Sequence, residues 1–231
     1  MDLIWEGTKE AYRLLSMGDP EVIRITLLSL QVSGLAVFIS LLLGIPLGSL
    51  LALVRFPGRN LIISLVNTGM GLPPVVVGLF VTLLLWRSGP LGIFELLYTP
   101  TAIVIAQVLI AFPIVTGLTV AAIQQLNPRL RLQLLALGAS RTQLFLLLLR
   151  EARLPLLAAL MAGFGGVVSE VGAVMMVGGN IKGQTRVLTT ATVMETRMGH
   201  FEIAIALGFI LLSLIFAVNW VLTWIQQSEK G

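Results

Sequence analysis

Apolar positions run in five long blocks, separated by short segments rich in charge, proline or glycine. The blocks are Ile25 to Val54, Asn60 to Trp86, Thr101 to Leu126, Leu154 to Gly179 and Ile203 to Ile225. Each is long enough for a helix that crosses a bilayer, whose hydrocarbon is ~30 Å thick. The first would extend ~45 Å at ~1.5 Å per residue, so it is expected to tilt, bend near Pro46 or project beyond the hydrocarbon. Gly71-Leu72-Pro73-Pro74 interrupts the second block, and Pro113 lies within the third. Arg55-Phe56-Pro57-Gly58-Arg59 reads as a tight basic turn, and Arg87 to Pro100 as a connection rich in glycine and proline.

Three stretches follow a different pattern. In residues 1–22, Ile4, Ala11 and Leu15 share one helical face, with Trp5 and Tyr12 beside it, before Gly18-Asp19-Pro20 stops the pattern. This predicts a short amphipathic helix lying on the membrane surface. Residues 127–153 carry Arg129, Arg131, Arg141, Arg150 and Arg153 among frequent leucines, with one acid, Glu151. That mixture predicts amphipathic helices outside the bilayer. Residues 180–202 are polar, with a short helix expected over Val187 to Glu195. The expected fold is all-α: five membrane-spanning helices in a domain over 23–226, an interfacial helix over 1–22 and a tail over 227–231. Five spans put the termini on opposite sides.

Composition sharpens the class. Of 231 residues, 57% are hydrophobic and 11% charged, and mean hydropathy is +0.98. A soluble domain carries about 25% charged residues, so a soluble enzyme, a nucleic-acid binder and a disordered chain are excluded. The net charge of +4 fits arginine-anchored loops. With no Cys and a single His, His200, thiolate and His-rich metal sites are absent. Asp2 and Glu6 stand where a cleavable signal would be basic. With 127–153 on the inner side, that side holds eight Lys and Arg against seven outside, so charge barely orients the chain.

Catalytic patterns are missing: no His-Glu-x-x-His and no Gly-x-Ser-x-Gly occurs. Gly178 to Thr185 mimics a phosphate-binding loop, but Gln184 occupies the lysine position and no strand context exists, so it reads as a glycine-rich exit from a helix. Met175 and Met176 read as packing. Glu170, placed mid-block among Gly163, Gly165, Gly166, Ser169 and Gly172, is costly there, ~2.5–3.5 kcal/mol at a helix centre. Two readings stay open for it: shaping or gating a pathway, or joining helices as a hydrogen-bonded acid. Pro46, Pro73, Pro74 and Pro113 fit either kinks in a moving pathway or ordinary membrane-helix composition.

Three stretches resemble the membrane subunit, or permease, of a bacterial ABC importer. Leu72-Pro73-Pro74-Val75-Val76-Val77-Gly78, continuing to Arg87-Ser88-Gly89-Pro90-Leu91-Gly92, is similar to molybdate- and tungstate-type permeases. Leu135-Ala136-Leu137-Gly138-Ala139-Ser140-Arg141, followed by Arg150-Glu151-Ala152-Arg153-Leu154-Pro155, resembles the cytoplasmic coupling segment of the family. Ser169-Glu170-Val171-Gly172-Ala173, Gly178-Gly179-Asn180-Ile181 and Gly183-Gln184-Thr185-Arg186-Val187-Leu188-Thr189-Thr190, then Glu195-Thr196, look like the oxyanion branch and most resemble tungstate permeases. Two departures stand out: Leu132 and Gln133 occupy the positions of the family's opening acid and alanine, and Leu154-Pro155 arrives about one helical turn late.

The resemblance implies a type I importer permease with no catalytic residues. ATP and Mg are implied to be bound by two copies of a separate cytoplasmic ATPase. It also implies a second copy of this chain flanking the pathway and an extracytoplasmic oxyanion-binding protein. The chain would be multi-pass in a bacterial or archaeal cytoplasmic membrane, N-terminus outside and C-terminus inside, with no nucleic-acid partner. Expected ATPase-coupling residues are Leu135, Ala136, Gly138, Ala139, Ser140 and Arg141; expected pathway or gate residues are Thr116, Thr119, Ser169, Glu170, Gly172 and Thr190. The expected cargo is tungstate or molybdate. Alternatives are a sulfate, phosphate or other small-solute permease, a secondary transporter or channel, and a lipid enzyme.

Overall fold

A computed structural model describes residues 2–228; the last residues of the expected tail, 229–231, lie outside the described residues. The described fold is helical: α1 Asp2–Ser16, α2 Pro20–Leu53, α3 Arg59–Met70, α4 Pro74–Leu85, α5 Pro100–Gln124, α6 Pro128–Ala136, α7 Arg141–Glu151, α8 Arg153–Val168, α9 Gly172–Gly178, α10 Leu188–Arg197 and α11 Phe201–Ser228. A 3-10 turn, Gly92–Phe94, lies in the α4–α5 connection. Three helices, α2, α5 and α11, are long and apolar enough to span alone. The pairs α3/α4 and α8/α9 pass the same test together, bent by 103° and 58°, which brings the number to as many as five.

The ends of these elements follow from local chemistry. The Asp19 carboxylate accepts the N–H groups of Glu21 and Val22, and Pro20 opens α2, where its missing N–H costs nothing. The other end of α2 has no basic residue of its own. Arg59 Nε and Arg131 Nη1 supply one from elsewhere, donating to the carbonyls of Leu51 and Leu53 at 2.5 and 3.0 Å. Two cations on the negative end of a helix dipole stabilise it and tie the α2–α3 turn and α6 to the same end of the molecule. Pro155, within the first turn of α8, has no N–H to give the Glu151 carbonyl, which is why α7 ends there.

Helix α5 is the hub, packed against α2, α3, α4, α8 and α9. It meets α2 along a stripe of small buried residues, Ser33, Ser40, Gly44 and Gly48. Small side chains let membrane helices approach closely, and dispersion then supplies the attraction that water exclusion supplies elsewhere. A Cβ on Gly48 would lie 2.7 Å from the Thr116 carbonyl oxygen. One polar strut crosses this core: Gln107 Nε2 donates to the Val167 carbonyl at 2.9 Å and to Ser33 Oγ at 3.3 Å, linking α5 to α8 and α2.

Helix α1 forms as the pattern of residues 1–22 predicts, but the face it buries differs. Gly7 packs against Ile205 of α11 and Ala11 is buried, whereas Ile4, Trp5 and Tyr12 are exposed. Gly7 has no side chain to register in a hydrophobic pattern, so the contact that fixes this helix was invisible to it. The helix of the 180–202 segment also runs later than expected, over Leu188–Arg197.

Candidate functional sites

Residues 127–153, expected to couple to an ATPase, form a helical hairpin, α6 and α7, standing off the helical body. None of α6 is buried, and α7 buries only Leu144 and Leu148. The turn between them is set by two devices. Gly138 adopts φ +83°, a left-handed conformation that disfavours side chains, and a Cβ there would meet nothing within 4 Å. Ser140 then starts α7 with a capping box: its Oγ accepts the Gln143 N–H, and Gln143 Oε1 accepts the Ser140 N–H. The tip presents Leu137, 84% exposed, with Leu135, Ala136, Gly138 and Arg141 exposed beside it and Ala139 and Ser140 in the turn. Leu137 is thus bare beside an open glycine at the tip of the hairpin.

Glu170 is not mid-helix. It sits in the break between α8 and α9, half-buried. Its Oε1 accepts the Ala173 N–H at 2.9 Å, capping α9, and its carbonyl accepts the Thr189 hydroxyl at 2.9 Å, tying in α10. The acid is partnered rather than bare, because it satisfies a backbone donor freed by the break. The α3/α4 break lies alongside. A Cβ on Gly172 would come within 2.7 Å of Val75 Cγ2, and one on Gly78 within 2.7 Å of the Ala173 Cα. Thus the first turns of α4 and α9, each following a break, pack directly on one another. Ser169 is exposed at the same place, its hydroxyl donating to the Gly165 carbonyl.

Three of the expected pathway residues sit elsewhere. Thr116 and Thr119 are fully buried against α2 and donate to the carbonyls of Phe112 and Val115. Thr190 is fully buried at the start of α10, where its hydroxyl pairs with the Val187 backbone. Their hydroxyls are consumed by local bonds and their surfaces by packing, so within this chain they face no space a solute enters. Single polar residues in an apolar run signal burial as readily as a pathway, and within this chain these three are buried.

The phosphate-loop mimic is closed on itself: Thr185 Oγ1 donates to the Gly178 carbonyl at 2.5 Å and accepts the Ile181 N–H at 3.0 Å. Sequence reasoning passed over two features. Gln107 carries no signal inside an uncharged block, yet its Nε2 donates across the core while its Oε1 is buried without a partner. Arg24 enters the sequence reading only in the topology count, and Lys182 and Arg186 only in local motifs, although the fold brings the three together. Among the described residues no group of three His, Asp or Glu is placed to hold a metal ion.

Residues 44–231 match the family of binding-protein-dependent transport system inner membrane components. The chain is 42% identical over 227 residues to a tungstate uptake system permease protein of Peptoclostridium acidaminophilum, covering 98% of this chain and 100% of that one. It is 44% identical over 214 residues to a probable anion ABC transporter permease protein of Haloferax volcanii, covering 89% and 92%. Its fold is that of a chain of the MetNI methionine ABC transporter in an inward-facing conformation, with a TM-score of 0.75 at 18% identity over 91% of this chain and 96% of that one. The helical hairpin, the broken helices and these relatives lead to one conclusion: the chain belongs to the family of ABC importer permeases, the inner membrane components of binding-protein-dependent transport systems.

Proposed function

We propose that two copies of this chain enclose the pathway of an ATP-driven importer for tungstate or a closely similar tetrahedral oxyanion, and that the α6–α7 hairpin seats in a separate cytoplasmic ATPase. The observation that carries this is the hairpin tip, where Leu137 and Gly138 stand clear of the rest of the chain. Closure of the ATPases on nucleotide would pull the two hairpins as rigid levers, and the α7–α8 junction at Ala152, fully buried, passes that motion into the membrane. The cargo assignment is supported by the tungstate permease relative. An extracytoplasmic binding protein would supply affinity, leaving the pathway weakly attractive so that the anion leaves.

This reading puts the hairpin inside the cell, the N-terminus outside and the C-terminus inside, with α1 lying at the outer surface. The chain has no native cysteine, so Leu137→Cys reports orientation cleanly. With the ATPase not co-expressed, a membrane-impermeant maleimide is expected to label it in inside-out vesicles and not in intact cells; labelling from outside would overturn the reading. Cargo is tested by ATP-dependent uptake into vesicles holding the whole complex, with tungstate, molybdate and sulfate offered in competition.

The paired breaks at Val75 and Gly172, with Ser169 and Glu170 beside them, are the place we assign to the gate. Glu170→Gln keeps an acceptor for the Ala173 N–H, so the fold is expected to survive while the transport rate changes and the preference among oxyanions does not. Glu170→Ala loses the cap and is expected to cost about 1 kcal/mol of stability. A switch of oxyanion preference in Glu170→Gln would mean that this side chain meets cargo.

A further inference from the structure

At the end of the molecule opposite the hairpin, the loop after α9 and the first turns of α2 line an open cleft of about 200 Å³. The self-bonded turn of Gly178 to Thr185 shapes one wall, and Ser29 of α2 anchors the loop by accepting the Leu188 N–H at 2.8 Å. Charged side chains line the cleft: Arg24, Lys182 and Arg186 against one acid, Glu21. Lys182 Nζ lies 2.6 Å from one Glu21 oxygen and Arg186 Nη1 lies 3.3 Å from the other. Arg24 lies over the same loop, its Nη1 3.6 Å from where a Gly183 Cβ would be.

Arg186 is the telling member. Its side chain is 10% exposed, and its Nε is buried with no hydrogen-bond acceptor. A buried guanidinium with an unmade bond is expensive; Arg24 and Lys182 beside it are exposed and keep their charges in contact with water. An anion in the cleft would give the three cations a second counter-charge beside Glu21. Arginine's planar fork matches the paired oxygens of a tetrahedral oxyanion, and the cleft is roomy enough for such an ion with part of its hydration shell at ~30 Å³ per water.

We propose that Arg24, Lys182 and Arg186 form a binding site for a tetrahedral oxyanion group at this end of the permease, with the Glu21 carboxylate as its built-in competitor. Glu21 holds two of the cations in place when the site is empty of anion and opposes tight binding when it is filled, which keeps exchange fast. The group is either a free oxyanion or the phosphate of an anionic lipid headgroup, because both present the same oxygens.

The test uses the full chain in nanodiscs of phosphatidylcholine, titrated with sodium tungstate and with inorganic phosphate. A parallel preparation in nanodiscs containing phosphatidylglycerol is read by native mass spectrometry for retained lipid. Saturable binding of the free ions names the first source, retained phosphatidylglycerol the second, and either supports the site. The double variant Arg24→Gln, Lys182→Gln alters two exposed side chains and is expected to weaken that binding at least tenfold. Glu21→Gln is expected to tighten it several-fold, a gain that a merely structural role for these residues would not produce. Absence of both kinds of binding in the natural chain, or unchanged affinity in either variant, overturns the proposal. No ATPase is present in this assay, so its failure leaves the importer reading standing, and failure of the hairpin to seat in an ATPase leaves this site standing.

Discussion

Gly138→Arg is expected to abolish association with the ATPase while the chain still inserts and folds. Within this chain the substitution meets open space: no heavy atom lies within 4 Å of the Cβ position. The cost to the chain itself is the left-handed backbone at φ +83°, about 1–2 kcal/mol for a residue with a Cβ, and it falls on an exposed turn that no core depends on. The cost to the interface is larger. A long charged side chain would stand beside Leu137 at the point where the proposed coupling puts the ATPase, forcing either separation or burial of an unpaired charge. A loss of at least a hundredfold in affinity, equivalent to ~2.7 kcal/mol, is expected. Co-purification of the ATPase with the variant, compared with Gly138→Asn, reads the result. Asparagine tolerates the left-handed conformation and adds little bulk, so Gly138→Asn should retain association. Normal co-purification of Gly138→Arg would remove the hairpin from the coupling role and with it the proposed mechanism.

The hairpin was legible in advance because its signal is compositional. Arginines spaced among leucines over residues 127–153 suit neither lipid nor water alone, and two short amphipathic helices are what such a mixture forms. The helix blocks were legible for the same reason: length and apolarity decide a membrane span, and neither needs a partner to be seen. What escaped was everything set by contact between blocks. Glu170 looked like a charge at a helix centre because sequence shows a continuous apolar run, whereas the backbone breaks at that residue and its carboxylate caps the next turn. Thr116 and Thr119 looked like pathway residues because a hydroxyl in an apolar run has two explanations, and only the opposing Gly44 and Gly48 of α2 decide between them. The cation cluster of Arg24, Lys182 and Arg186 joins residues about 160 positions apart in sequence. No local pattern encodes that pairing; it follows from Ser29 capping α10.

The opposing effects of two glycines in one helix give the sharpest test of the packing. Gly34 and Gly48 both lie within α2. A Cβ on Gly34 would meet nothing within 4 Å, while one on Gly48 would lie 2.7 Å from both the Thr116 carbonyl oxygen and the Thr119 Cβ. The first of these obstacles is backbone and has no rotamer to yield. In a helix interior alanine is favoured over glycine by about 0.8–1 kcal/mol, so Gly34→Ala is expected to leave the chain as stable or more so. At Gly48 the same propensity gain is outweighed by overpacking, typically 1–3 kcal/mol for a methyl-sized intrusion into a filled core. Gly48→Ala is therefore expected to lose up to about 2 kcal/mol, and Gly48→Leu to prevent α2 and α5 from docking at all. Unfolding of the purified chain in mixed micelles by added sodium dodecyl sulfate, followed by tryptophan fluorescence, ranks the variants. The expected order is Gly34→Ala at or above the natural chain, Gly48→Ala below it and Gly48→Leu without a folded baseline. Equal losses at the two positions would mean that helix propensity or lipid contact, rather than the close approach of α2 to α5, holds these helices together. In that case the buried threonines of α5 would be free to face another surface.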